Sequence, residues 1–561
     1  MLASFQKQRH GSIHRHTVLL AILAILFLAL PLHAQAPRVL PEGQRPNDAR
    51  LEPLKDLNGY FPFEVPSTPE AWKKRAGDLR QRVLIANGLW PMPEKTPLNP
   101  VIHGRAVRDG FTVEKVYFES IPNHYVTGLL FRPENSPGPN PAVLCPHGHG
   151  GRLQDYVERG GDQYFRQLLA DGAERFEKSG RFPALARCAQ LARMGCVTFI
   201  FDMMGYADSI QLPYELVHRY REIRPEFEGK QNWGFFSTQA ELRLQSVMGL
   251  QTWNGIRALD FLCGLPDVDP KRIGVTGNSG GGTQTILLGA IDPRPVVSFP
   301  NGMVSTAMQG GCTCENCNLL RIGTGNVELA ALFAPKPLGM TAADDWTIDM
   351  LTKGFPELKS LYTMLEAPEN VMCRDLTHFP HNYNHVSRCT MYNWFNKHLD
   401  LGFEEPVLEQ DFNPLTPEEY TVWNEDHPKP NPGPGYERDL VKFLTEQSNH
   451  QMAALFPDTP KNLNRFQKYI GAAFDTIIGR DLPAWGTLSG EAVNIRSLGE
   501  YGEATYLVRN PEHGEEIPTV ALFPESQSWN GTTILWLDGQ GKNGLYQENG
   551  QPRPQIKQLL D

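Results

Sequence analysis

The sequence predicts an α/β fold built on a doubly wound, mostly parallel sheet. Three observations lead there. Short apolar runs recur at 142–145, 197–201, 273–276, 296–299, 337–341 and 371–373. Stretches of helical periodicity stand between or after them, at 182–194, 240–263, 282–290 and 386–399. Strands separated by helices need crossover connections, which set the strands parallel. Ahead of this alternation, 112–118 alternates polar and apolar residues and 125–131 continues after a turn, the pattern of antiparallel strands opening a mixed sheet.

The chain has 561 residues, enough for about two to four domains. Its net charge of −10 argues against a nucleic-acid partner. Lys7, Arg9, His14, Arg15 and His16 precede an apolar run at 18–30, and Ala34-Gln35-Ala36 offers small residues for cleavage. Residues 1–36 therefore read as a signal peptide, and the protein as exported, periplasmic or extracellular, with no stable membrane insertion after cleavage. The first helix is expected at 69–89, where Trp72, Leu79, Val83 and Leu84 share a face. The insert at 205–239 carries Tyr214, Tyr220, Phe227, Trp233, Phe235 and Phe236, and suits either a lid over a site or a packed surface excursion.

The segment 277–281 reads Gly-Asn-Ser-Gly-Gly and lies between the apolar run at 273–276 and the helical stretch at 282–290. Strand, G-x-S-x-G and helix in that order form the nucleophile elbow of α/β-hydrolases. The turn is too tight for side chains around Ser279, and the helix N-terminus favours developing negative charge. A serine hydroxyl needs a base, and the base needs an acid that fixes its tautomer. On this fold both follow the serine in the chain. Asp345 is the expected acid, with Asp344 in reserve, because both end the strand-like 337–343. Among His378, His381 and His385, His381 is the expected base, since His-Asn-Tyr opens the turn before the final helix. The oxyanion hole calls for backbone N–H groups. Gly280 should give one, and Gly148 or His149, in the loop 147–151 after an early strand, the other.

Nine cysteines are too few for a disulfide scaffold in a chain of this length. Cys145, Cys196 and Cys263 sit in apolar runs as core residues. Cys312, Cys314 and Cys317 cluster, but zinc needs four ligands and no second Cys/His pair stands at the usual spacing. A local disulfide or free thiols are expected there, and no metal or cofactor.

With these motifs in place, the sequence resembles bacterial acetyl xylan esterase-like α/β-hydrolases over roughly 72–399. The resemblance rests on the His-Gly-His-Gly-Gly loop at 147–151, the elbow at 277–285, Asp345-Trp346-Thr347 and the turn at 381–384. The segments 308–312 and 326–329 also match. It implies a serine esterase acting on small esters or acetylated polysaccharide, with Trp346 and Asn278 at the substrate. Glucuronoyl esterases and dienelactone hydrolases share the architecture, but the elbow lacks the arginine that glucuronoyl esterases carry after their serine. A serine peptidase and an inert glycan-binding protein are the competing classes.

The domain order then reads 1–36 signal peptide, 37–405 catalytic domain, 406–436 linker and 437–561 incomplete second hydrolase-like unit. The linker reading rests on Pro417, Pro428, Pro430, Pro432 and Pro434. The second unit rests on a repeat, in which 520–525 resembles 126–134 and 533–542 resembles 141–151.

Overall fold

The computed structural model describes residues 36–136, 138–219, 224–479 and 482–561. The expected signal peptide, up to residue 35, and Tyr220 lie outside them. The described residues fall into two compact units, 55–479 and a second made of 36–54 with 482–561.

The larger unit holds a nine-stranded sheet. Its strands are β1 (Val101–Arg108), β2 (Phe111–Ile121), β3 (His124–Pro133), β4 (Asn140–Leu144), β5 (Val197–Phe201), β6 (Val268–Asn278), β7 (Pro295–Asn301), β8 (Leu338–Asp344) and β9 (Val371–Pro380). The spatial order is β1-β2-β3-β5-β4-β6-β7-β8-β9. The first four strands in that order pair antiparallel, and everything from β5 to β9 is parallel. This is the α/β-hydrolase fold. Every strand expected within this unit is present. The edge strand β1 escapes sequence reading because only Ala106 is buried in it, so the apolar alternation is missing.

Central strands are covered on both faces, as parallel strands require. Leu144, Phe199 and Val275 point to one side and pack with Trp253, Ile256 and Leu259 of the helix Val247–Cys263. Val143, Ile200 and Val297 point to the other side, against Leu185 and Leu191 of the helix Pro183–Arg193 and Phe395 of the helix His385–His398. The two-residue period of a strand decides which neighbour goes where. The helix expected at 240–263 is broken. A four-residue helix, Thr238–Glu241, ends before Leu244, whose φ of 54° leaves the helical region. The described part of the aromatic insert packs down, with Leu216, Val217, Trp233 and Phe235 in the core.

The segment 406–436 is not a free linker. Val407, Phe412, Leu415 and Val422 are buried in the larger unit. Arg108 donates to Glu419 at 2.6 Å, and the Trp423 indole donates to the Asp208 carbonyl at 2.9 Å. Proline kept this segment out of regular structure, but its apolar residues still had a surface to bury against. The helix Tyr436–Leu455 also belongs to this unit, with Leu440 and Val441 in its core.

In the smaller unit β10 (Ser489–Ser497), β11 (Tyr501–Asn510) and β12 (Glu515–Pro524) form an antiparallel meander. The expected buried strand at 533–537 is not formed, and Leu535 and Leu537 are 80% and 84% exposed. A buried parallel strand needs partners for its backbone on both edges, and the described residues of this unit supply only the meander.

Arg388 is fully buried between Glu409, at 2.6 Å, and Glu174, at 2.8 Å. It ties the helix His385–His398 to the segment after it and to the loop before the helix Pro183–Arg193. Burial pushes the Glu174 carboxyl up to about 7 despite Arg388, while Glu409 is held down to about 2 by Arg388 against its own burial. Replacing Arg388 with Met leaves two buried carboxylates unpaired and should cost about 3–5 kcal/mol, read from denaturant unfolding. A raised carboxyl keeps its proton in the folded chain while the unfolded chain loses it, so stability should fall between about pH 4.5 and 7 and level off above. Glu174→Gln should flatten that decline in melting temperature against pH; an unchanged slope would exclude Glu174 as its source.

Candidate active site

β6 ends at Asn278, and the helix Gly280–Ile291 starts two residues later. Ser279 bridges them with φ 56° and ψ −123°, a conformation non-glycine residues adopt only under constraint. Its neighbours must be glycine. A Cβ on Gly277 would stand 2.4 Å from the Gly281 carbonyl oxygen and 2.5 Å from that of Pro146. One on Gly281 would stand 2.4 Å from the Pro146 oxygen. The Ser279 N–H donates to the Asn301 carbonyl at 3.1 Å, which holds the turn against the end of β7.

His381 and Asp345 meet as expected. The Nδ1 of His381 lies 2.6 Å from Oδ2 of Asp345, whose side chain is 3% exposed. The other carboxylate oxygen accepts the Thr347 N–H at 2.7 Å and its hydroxyl at 2.5 Å. Burial alone would raise this carboxyl. The bonds from His381 and Thr347 outweigh it and hold Asp345 below the ordinary range, so it is ionised at neutral pH. Asp344 is exposed at the end of β8. His378 is exposed on β9, and His385 starts the last helix with its Nδ1 3.3 Å from Glu409. The structure thus separates three histidines and two aspartates that the sequence left adjacent.

Ser279, Asn278 and His381 line one cleft, together with Gly148, His149 and Gly150. The loop 147–151 is rigidly held. The ring of His147 is buried, accepts the Met203 N–H at its Nε2 (3.0 Å), and donates from Nδ1 to the Gly148 carbonyl at 2.8 Å. Burial keeps that ring neutral by pushing it down to about 3. Arg152, fully buried, pairs with Asp202 at 2.7 Å and Asp208 at 2.6 Å at the loop's far end. A Cβ on Gly148 would stand 3.0 Å from that of Ser279, so the loop lies directly against the elbow. Trp346, expected at the substrate, packs its ring 4.3 Å from that of His381 and donates its indole N–H to the Gly302 carbonyl at 2.9 Å.

Asn301 is the residue sequence reasoning missed. It ends β7 and is 1% exposed. Its carbonyl takes the Ser279 N–H, and its Nδ2 donates to Asn278 Oδ1 at 2.8 Å and to the Asn382 carbonyl at 3.0 Å. Its Oδ1 accepts from Thr341 of β8 at 2.5 Å. One amide therefore joins the elbow, the His381 loop and the strand leading to Asp345. Its only sequence signal was its place at a strand end beside Gly302. Arg187 was missed too, because a mid-helix arginine looks like surface. It is 2% exposed, lines the cleft and lies over the Tyr383 ring at 4.9 Å.

A glycine-flanked serine, a carboxylate-anchored histidine and an amide-rich loop surround one cleft of this α/β-hydrolase fold. No family model matches the chain. The putative hydrolase YtaP of Bacillus subtilis (strain 168) is 24% identical over 206 residues, which is 37% of this chain and 58% of that protein. The match thus spans little more than half of that curated relative. Among solved structures, the methylesterase BT1017 is 26% identical with a TM-score of 0.50, covering 68% of this chain and 78% of its own. A putative acetyl xylan esterase from Bacteroides fragilis NCTC 9343 matches at 16% identity and TM-score 0.41, over 79% and 97%. A glucuronoyl esterase from Solibacter usitatus also matches, at 16% identity and TM-score 0.39, over 63% of this chain and 100% of its own. None of the described helices is long and apolar enough to cross a membrane.

Asn301→Ala should keep the fold and lower kcat by about 100-fold with little change in KM, because it loosens three reacting groups at once. Gly302→Ala would place a Cβ 2.8 Å from the His381 ring, at a φ of 63°. It should impair turnover comparably, and hydrolysis rates beside melting temperatures check both.

Proposed function

We propose that the protein is an exported serine esterase that hydrolyses carboxylic esters of carbohydrates, acetyl esters foremost. The observation that carries this reading is the strained Ser279 in the same cleft as His381 on its buried Asp345. Ser279 Oγ attacks the ester carbonyl while His381 Nε2 takes its proton. Asp345 holds the Nδ1–H and the imidazolium charge. The oxyanion is met by the Gly280 N–H and by the N–H of Gly148 or His149, at the N-terminal end of the helix Gly280–Ile291. The imidazolium of His381 then protonates the sugar oxygen as its bond to the acyl carbon breaks, which frees the sugar hydroxyl and leaves an acyl-serine. Water, activated by the same histidine, releases the carboxylic acid. Asn278 borders the substrate position.

A second reading is favoured by Arg187 and Arg159, which both line the cleft. Guanidinium groups suit carboxylates, so the substrate could be an ester on the carboxyl of a sugar acid within an acidic polysaccharide. The 26% identity to a methylesterase supports the same direction.

The mature chain should hydrolyse p-nitrophenyl acetate, and Ser279→Ala should lose on the order of 10⁶ in kcat. Asp345→Asn should cost about 10⁴ through the wrong histidine tautomer. Equal activity in wild type and Ser279→Ala would sink the serine mechanism. Acetate release from acetylated xylan, set beside methanol release from a methyl-esterified polyuronate, separates the two readings. Cleavage of peptides without either would mean a peptidase.

A further inference from the structure

Four side chains that the proposed chemistry does not use converge beside the cleft. His149 Nε2, His218 Nδ1, Cys312 Sγ and Cys314 Sγ offer donor atoms that all lie within 4.8 Å of one another. They come from three loops, after β4, β5 and β7. Cys314 Sγ stands 3.4 Å from His149 Nε2, and Cys312 Sγ stands 3.6 Å from His218 Nδ1. Around tetrahedral zinc, with Zn–S near 2.3 Å and Zn–N near 2.0–2.1 Å, neighbouring donors stand roughly 3.3–3.8 Å apart. Both of those Cys–His pairs stand at ligand spacing, and all four donors lie close enough together to surround one ion.

Each imidazole is also turned the right way. A ligating histidine donates its other ring N–H to a carbonyl or carboxylate, which fixes the tautomer. His218 Nε2 donates to the Met204 carbonyl at 2.8 Å, leaving the Nδ1 lone pair towards Cys312. The Glu315 carboxylate lies 3.7 Å from His149 Nδ1, leaving Nε2 towards Cys314. Glu315 is itself fixed by the Gly311 N–H at 2.8 Å. Cys312, Cys314 and His218 are buried, and only His149 reaches the cleft. Sulfur and imidazole together select zinc over hard cations.

We propose that His149, His218, Cys312 and Cys314 bind one zinc ion in a closed structural site. Binding forms two Zn–S and two Zn–N bonds and releases the two thiol protons to solvent, with no change of oxidation state. Two thiolates neutralise the dication, which makes its burial tolerable. Four protein ligands leave no position for water or ester, so the ion is not the Lewis acid of the reaction. It fastens the loop that carries the Gly148 and His149 amides to the 312–314 loop. The His149 ring already lies against the elbow, since a Cβ on Gly280 would stand 3.3 Å from its Cε1. The sequence hid this site because Cys312 is 94 residues from His218, and Cys314 is 165 from His149.

The full chain, purified without chelators or immobilised-metal resin, should contain about one zinc per molecule by inductively coupled plasma mass spectrometry. The Cys312→Ser/Cys314→Ser double variant should contain almost none. Reduced, metal-stripped wild type should give the visible and near-ultraviolet bands of tetrahedral thiolate-bound Co²⁺, discharged by an equivalent of zinc. This second measurement needs no variant, so misfolding of the double variant would not blunt it. A zinc-free isolate that still gives the cobalt spectrum supports the site. A zinc-free isolate without that spectrum overturns it, as does a double variant that folds and keeps its zinc. Neither reading depends on ester hydrolysis.

Discussion

The close approach of backbones at the end of β6 is the constraint on which the site depends. Ser279 is held at a positive φ that costs about 1–3 kcal/mol. The surroundings offset this by contact that only glycine permits. Gly277 and Gly281 lie against the Pro146 carbonyl, Gly282 lies against that of Asn301, and Gly148 lies against Asn278. Strand β4 must therefore run beside β6, and β7 on its other side, for the turn to exist. The crossing order of β4 and β5 in the sheet satisfies this requirement. Once these three strand ends meet, the loop 147–151 can only emerge against the serine.

Around this junction, buried polar groups do what apolar packing cannot. Apolar contacts fix distances loosely, whereas hydrogen bonds fix directions. Asn301 sets the relative positions of the Ser279, His381 and Asp345 segments through one side-chain amide and one carbonyl. Arg152 does the same for the loop after β4, joining it to Asp202 at the end of β5 and to the Tyr420 carbonyl. Arg388 anchors the helix that follows His381. Each such group is costly to leave unpaired, so the loops move as parts of the framework. The converging histidines and cysteines beside the cleft extend this arrangement to the loops that no strand supports.

Much of this was legible in the sequence. The central strands are apolar without interruption because they are buried on both faces, and that pattern survives any detail of packing. The elbow was legible because steric exclusion acts on neighbours in the chain, so the glycines stand beside the serine they serve. Asp345 and His381 could be read as a pair because the topology of this fold sets their order along the chain, and their side chains meet. The choice of His381 over His378 and His385 was nearer the limit, since all three lie in one short segment. The 406–436 segment misled because proline content reports the lack of regular structure, not the lack of buried contacts. The apolar run at 533–537 misled because strand propensity says nothing about whether a partner strand is there.

The sequence by itself determined the class of fold, the strained serine and the order of the groups that follow it. These depend on local sterics and on burial periodicity, both of which are written in adjacent residues. Only the tertiary structure decided that Asn301 links three strand ends and that Arg187 faces the cleft. It alone turned Trp346 onto His381 and brought His149 and His218 to Cys312 and Cys314. Those contacts join residues far apart in the chain. Their geometry is set by how strands are ordered in the sheet, and no spacing in a single sequence encodes that order.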